Sequence, residues 1–156
     1  MAKISTFSPV RELETHELGL LFPLINGNNP SVTKPLFTRR LKAMQKLGYR
    51  AIGMFEGKKL IACSGFWLRT RFWSGLELDI DNFYVDTKHR NKQLGAQMLV
   101  WFEAFAIKNK VELMVLDTYA DYFLAQRFYV RGGFAHTGYH MTKIPGSKAP
   151  FARKQN

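Results

Sequence analysis

The chain has 156 residues, 46% of them hydrophobic, which excludes a disordered chain and makes one domain the expectation. A single cysteine, Cys63, excludes a disulfide within the chain, and no segment reaches the ~20 apolar residues of a membrane-spanning helix. Lys and Arg total 23 against 12 Asp and Glu, and the net charge of +11 favours anionic partners without choosing among nucleotide cofactors, acidic substrates, nucleic acids and anionic membranes.

From the start, Lys3 to Phe7 reads as a short strand, broken by Ser8-Pro9. Arg11, Glu12 and Glu14 interrupt any apolar run there, so no secretory leader is read and a cytoplasmic protein is expected. Residues 15 or 16 to 24 form a helix pattern, with Leu18, Leu21 and Phe22 on one face, and Asn26 to Pro30 has the composition of a loop. Thr33-Lys34-Pro35 opens a second helix with a capping hydroxyl and an early proline, and Gly48 stops it. Phe37, Leu41 and Met44 make its apolar stripe; Arg39, Arg40, Lys42 and Lys46 make a basic face, read as solvated.

Three strands follow, Tyr49 to Phe55, Lys59 to Phe72 and Leu76 to Val85, with turns at Glu56-Gly57-Lys58 and Ser74-Gly75. They form an antiparallel meander. In the third, Leu76, Leu78 and Ile80 face one way and Glu77, Asp79 and Asp81 the other, the expected wet side. Cys63 falls in the apolar run from Leu60 and reads as a buried small hydrophobe.

A basic turn and a long amphipathic helix come next. Leu94, Met98, Phe102 and Phe105 make a core stripe ending near Lys108, and Val111 to Leu116 reads as a parallel strand buried on both faces. Strand, helix, strand at this spacing is a crossover unit, and ligands of such sheets bind beyond the carboxyl ends of the strands. The first N–H groups of a helix lack partners within it and carry the positive end of its dipole. Beside Lys88, Arg90 and Lys92, those of Arg90 to Ala96 make a seat for a phosphate or diphosphate. Asp121 caps a further helix, Tyr122 to Arg131, which Gly132-Gly133 ends; Phe134 to Ile144 reads as a last strand. One domain is thus expected over residues 1–144, with a mobile basic tail over 145–156.

Two stretches carry a resemblance. Tyr84-Val85-Asp86 followed by Arg90-Asn91-Lys92-Gln93-Leu94-Gly95 resembles the acyl-CoA motif Arg/Gln-x-x-Gly-x-Gly/Ala of the GNAT superfamily of N-acyltransferases. Ala125-Gln126-Arg127-Phe128-Tyr129 and Gly132-Gly133-Phe134 resemble that family's later signature. The resemblance covers residues 15 to 144. It implies an α/β fold, a mixed sheet of antiparallel meander and βαβ unit with helices on both faces, splayed between its fourth and fifth strands. It also implies acetyl-CoA as acyl donor. The backbone of Phe83, Tyr84 and Val85 would pair with the pantetheine arm. N–H groups of Arg90, Asn91, Lys92, Gln93, Leu94, Gly95 and Ala96 would hold the diphosphate, with Lys88, Arg90 and Lys92 adding charge. Gln93 stands where the family has its first motif glycine, and Tyr122 where many relatives have an asparagine.

The reaction so implied is direct acetyl transfer to a primary amine, with no covalent enzyme intermediate. Tyr129 is the implied acid at the departing sulfur, being protonated at neutral pH with an ordinary pKa of ~10. Asp81 or Asp79 is the candidate base; either needs its pKa lifted by burial, and solvent is an alternative. Asp117 and Thr118 are candidates for lining the acceptor pocket. His89 is read as facing solvent, and His136 with His140 lack a third ligand for a metal. The acceptor is a small molecule or a protein N-terminus or lysine, RNA-linked amines included, and no membrane is expected. The sequence leaves the oligomeric state undecided, a homodimer included. Two other readings compete: a basic nucleic-acid-binding module, and a CoA-binding protein without catalysis.

Overall fold

The computed structural model describes residues 7–148. Most of the strand expected over Lys3 to Phe7, and most of the expected tail, lie outside the described residues. Two compact units follow one another along the chain, up to Leu116 and from Asp117.

The first unit is a five-stranded sheet in the order β1 (Arg11–Glu12), β2 (Arg50–Glu56), β3 (Lys59–Arg71), β4 (Gly75–Val85), β5 (Leu113–Leu116). The first four pair antiparallel; β5 runs parallel to β4, joined to it by the 3-10 turn Thr87–His89 and helix α3 (Leu94–Lys108). Before β2 come a 3-10 stretch, Thr15–Leu21, and helices α1 (Phe22–Asn28) and α2 (Lys34–Lys46). Phe7 adds an isolated bridge to Glu56.

Alternation along β3 sends odd and even residues to opposite faces. Cys63 joins a core with Leu18, Leu21, Leu24 and Phe37 from the α1 and α2 side. Phe66 lies among the rings of α3, 5.5 Å from Phe102 and 5.3 Å from Phe105. Leu94, Met98 and Phe102 are buried at the spacing that marks the stripe of α3.

Several expectations change. The helix read over residues 15 or 16 to 24 is divided: Thr15–Leu21 is 3-10, and Pro23 sits in the first turn of α1, where its missing N–H costs nothing, so that α1 runs on through Gly27 to Asn28. Thr33 takes the extended N-cap conformation ahead of α2, with Pro35 in the first turn, but its hydroxyl makes no capping bond. Strand β5 is partly exposed, as an edge position allows, and not buried on both faces.

Glu77 is not on a wet side. It is 1% exposed, and its carboxylate accepts from the Arg71 Nε (2.8 Å), the Arg69 Nε (3.2 Å) and the Ser74 hydroxyl (2.6 Å). Burial alone would raise its pKa, but these donors hold it below the ordinary carboxylate range. The β3–β4 hairpin is pinned there, while Phe72 and Trp73 at its tip stay exposed.

In the second unit, helix α4 (Phe123–Arg131) ends at Gly132, and Gly133 adopts a φ of +92° that suits glycine. Residues 134–144 form no strand. A strand needs a partner ladder, and the described residues of this unit contain no other strand to supply one. No described helix is long and apolar enough to cross a membrane.

Candidate active site

The third and fourth strands lose register once, and the site is built on that slip. Cys63 pairs with Tyr84 but Gly65 pairs with Asp81, so Ser64 stands opposite both Asn82 and Phe83. This is a β-bulge, one extra residue on β4. Asn82 takes the left-handed conformation, φ 48°, which asparagine tolerates better than most residues. The buried Ser64 hydroxyl donates to the Asp81 carbonyl at 3.0 Å, and the Asn82 N–H donates to the Asp81 Oδ1 at 2.8 Å. The extra residue resets the alternation. Tyr84, opposite Cys63, now packs on the α1–α2 core, on the face that Asp81 also reaches.

Beneath the bulge lies Tyr49. Its buried ring sits 5.1 Å from that of Trp67, and its hydroxyl is 3.5 Å from the Asn82 Nδ2. Burial, then the Asp81 charge, pushes its phenol above the ordinary range, so it remains protonated. Gly65 is required here, because a Cβ would fall on the Tyr49 ring. Cys63 is fully buried, and burial pushes its thiol up to about 12, which makes it inert.

Asp81, Asn82 and Tyr49 form one end of a cavity of ≈ 230 Å³ whose other walls come from the 3-10 stretch, α1, α2 and Val32 ahead of α2. Asp79, the other candidate base, does not line it. An Arg69 guanidinium nitrogen holds Asp79 at 2.7 Å.

On the donor side, the β4–β5 ladder ends at Ile80 and Leu116, whereas the β3–β4 ladder continues to Val85. Phe83, Tyr84 and Val85 therefore lie where the two strands no longer pair. Asp86 then turns the chain. Its Oδ2 accepts from the Lys59 ammonium at 2.7 Å and its Oδ1 from the Lys88 N–H at 2.9 Å, and Lys59 foremost holds its pKa below the carboxylate range.

His89 does not face solvent. It is 6% exposed, with Nε2 3.2 Å from Glu56 Oε2 and Nδ1 3.2 Å from Asp86 Oδ1, the latter without hydrogen-bond alignment, and the Phe7 ring meets it edge-on. It anchors the turn from below instead of facing solvent.

Arg90 to Gln93 are exposed, and Asn91 and Gln93 both adopt left-handed conformations, φ 61° and 60°. Gln93 is the N-cap of α3 and makes no side-chain cap. Leu94 is buried and fixes the helix start, while Ala96 is exposed in its first turn. Among the described residues Lys88, Arg90 and Lys92 have no ion-pair partner; Lys92 lies 5.2 Å from the centre of the Phe7 ring. Uncapped helix donors beside three unneutralised cations suit a diphosphate.

In the second unit Tyr129 lies on α4 with its ring against Phe128 and Phe134, 5.2 and 6.0 Å between centroids. Asp117 pairs with His140 Nδ1 at 2.8 Å, both side chains largely exposed. Among the described residues no cluster of three or more His, Cys, Asp or Glu could hold a metal ion.

Sequence reasoning missed Tyr49, Asn82 and Ser64; Arg40 is exposed, as its basic face was read, and also borders the cavity. The available signal was Asp81-Asn82, two polar residues in succession where the strand should alternate.

Comparison with known proteins gives two results. The sequence profile of the acetyltransferase (GNAT) family matches residues 21–134. Solved structures of similar fold include glucosamine-6-phosphate N-acetyltransferase from Arabidopsis thaliana, at 22% identity and TM-score 0.70 over 89% of this chain and 98% of that one. Another is the aminoglycoside N-acetyltransferase AAC(6')-Iy in complex with CoA, at 12% identity and TM-score 0.79 over 94% and 99%. A third is an aminoglycoside acetyltransferase from an uncultured soil metagenomic sample, at 13% identity and TM-score 0.77 over 89% and 96%. At these identities the likeness speaks for the fold. No curated protein matches the sequence significantly.

Proposed function

The chain belongs to the GNAT family of acetyltransferases, and from that premise we propose that it transfers the acetyl group of acetyl-CoA to a primary amine held in the cavity beside Asp81. The observation that carries this is the bulge: it brings Asp81 to the edge of an apolar, partly open cavity, one residue beyond the end of the β4–β5 ladder.

The acyl donor supplies a thioester, whose carbon the amine attacks. On the donor side, Phe83 to Val85 offer strand backbone to the pantetheine arm. The first-turn N–H groups of α3, with Lys88, Arg90 and Lys92, hold the diphosphate. Gln93 already adopts the left-handed conformation that the family's glycine would supply, so the turn keeps its path without a glycine.

Asp81 takes the proton that the attacking nitrogen must lose, and Tyr129 donates one to the departing sulfur. As the new C–N bond forms, the C–S bond breaks and free thiol leaves. Asp81 is preferred to Asp79 because Asp81 borders the cavity and Asp79 does not.

The test has two stages. Acetyl-CoA at about a hundred times its dissociation constant should stabilise the protein by ~2.7 kcal/mol in thermal unfolding. Asp81→Asn and Tyr129→Phe should each keep that stabilisation yet slow thiol release by about 10²-fold or more, the usual loss when an acid or base is removed. Unchanged release in either variant removes that residue's role. Stabilisation without release from any amine would favour the CoA-binding protein without catalysis.

A further inference from the structure

The acceptor cavity has a chemistry that goes beyond "a primary amine". Resting on the acetyl-transfer reading above, we infer that its acceptor is a small zwitterion with an apolar body, that is, an apolar amino acid.

Size comes first. The cavity of ≈ 230 Å³ is smaller than the ~300–1,000 Å³ pockets that enclose drug-sized ligands. One amino acid with a branched or aromatic side chain fills it, whereas a multi-ring amino sugar would leave most of its rings outside the apolar walls.

The walls come second. Ile25, Val32, Phe37, Leu41 and Met44 present only apolar side-chain atoms. A hydroxyl or a second ammonium placed against them would lose water and gain no partner, which is unfavourable. A hydrocarbon side chain gains from the same surface.

Charge decides the rest. The charged residues that border the cavity are Asp81 and Arg40, the latter also exposed to solvent at its rim. Arg40 has no ion-pair partner among the described residues, so its charge is not already neutralised. An ammonium directed to Asp81 and a carboxylate directed to Arg40 use both, and the planar guanidinium fork matches a carboxylate. A polycation would meet one anion and one repelling cation.

The experiment measures kcat/KM for thiol release with phenylalanine, with phenylethylamine (the same body without the carboxylate) and with the polycationic amino sugar kanamycin. Phenylalanine should exceed phenylethylamine by about tenfold or more, the scale of a hydrogen-bonded charge pair, and should exceed kanamycin further. Arg40→Gln should bring the phenylalanine to phenylethylamine ratio near one, while acetyl-CoA still raises the melting temperature of that variant, which shows it folded. Equal or faster turnover of phenylethylamine or kanamycin overturns the acceptor class and leaves acetyl transfer standing. A ratio unchanged in Arg40→Gln overturns the role of Arg40 and with it the zwitterion. Thiol release with none of the three, but with some other amine, overturns the class alone; release with no amine at all overturns the transfer reading as well.

Discussion

Gly65→Ala is the most direct probe of how the bulge, the buried tyrosine and the cavity depend on one another. A Cβ at Gly65 lands on the Tyr49 hydroxyl and ring. That ring is 5% exposed and backed by Trp67 at 5.1 Å, so it has no solvent to move into. Overpacking of this kind costs about 1–3 kcal/mol, and the reduced freedom of the unfolded chain returns ~0.4–1. The net loss, up to ~2.5 kcal/mol, corresponds to a melting temperature as much as ~10 °C lower at the roughly 2–4 °C per kcal/mol usual for this size. Thermal unfolding followed by circular dichroism measures it. Trimming the obstacle should relieve the strain: Gly65→Ala with Tyr49→Leu should lose less than the two single losses added, by at least ~0.5 kcal/mol. Because Tyr49 borders the cavity, the variant should also raise the KM of the amine and leave stabilisation by acetyl-CoA intact. A melting temperature raised by Gly65→Ala would refute the reasoning.

Three further expectations follow from the geometry. Gln93→Val should lower stability by about 1–2 kcal/mol, because a β-branched residue resists φ 60°, whereas Gln93→Gly should not; equal melting temperatures for the two variants would contradict this. Arg11 bonds to Glu17 through two nitrogens, each at 2.7 Å, and the bond, with the Glu14 N–H, holds the Glu17 carboxyl at about 2 against its ordinary 4.5. Its folded pKa lies below the unfolded one, so its contribution is present above pH 4.5 and fades as pH falls toward 2. Stability measured against pH should therefore fall less steeply across that window in Glu17→Gln than in the parent protein. Cys63, buried with its thiol pushed up to about 12, should resist maleimide at pH 7 until the protein unfolds; labelling of the folded protein within minutes would count against it.

Much of the architecture could be read from residue spacing, because its elements are locally consistent. Leu94, Met98 and Phe102 repeat at helical intervals and are buried together on α3. Lys34-Pro35 and Gly48 bracket α2 with a residue that favours a first turn and one at φ +89° that favours an end. The errors fall where a residue type permits two roles. Pro23 ends some helices and starts others, and only the neighbouring 3-10 stretch decides. Glu77 reads as solvated until Arg69, Arg71 and Ser74 are folded back over it, a contact no strand pattern encodes. His89 lies in a polar run, yet Glu56 and Phe7, far away in sequence, enclose it. The basic turn could be read as a candidate donor seat because its parts are contiguous. The acceptor cavity was not, because its walls come from four separate elements and meet only after the sheet slips register at Ser64.

The walls of the cavity other than the bulge belong to residues before 50, while the basic turn and α3 begin after 85. On the proposed function, mutations in the first third of the chain would therefore retune which amine is chosen without disturbing the grip on the donor. A substitution at the bulge has no such freedom, since Asp81 and Asn82 sit a few residues from Phe83 to Val85 on the same strand. Selectivity is thus the property of this protein most open to drift, and the β4 bulge the part that drift must leave alone.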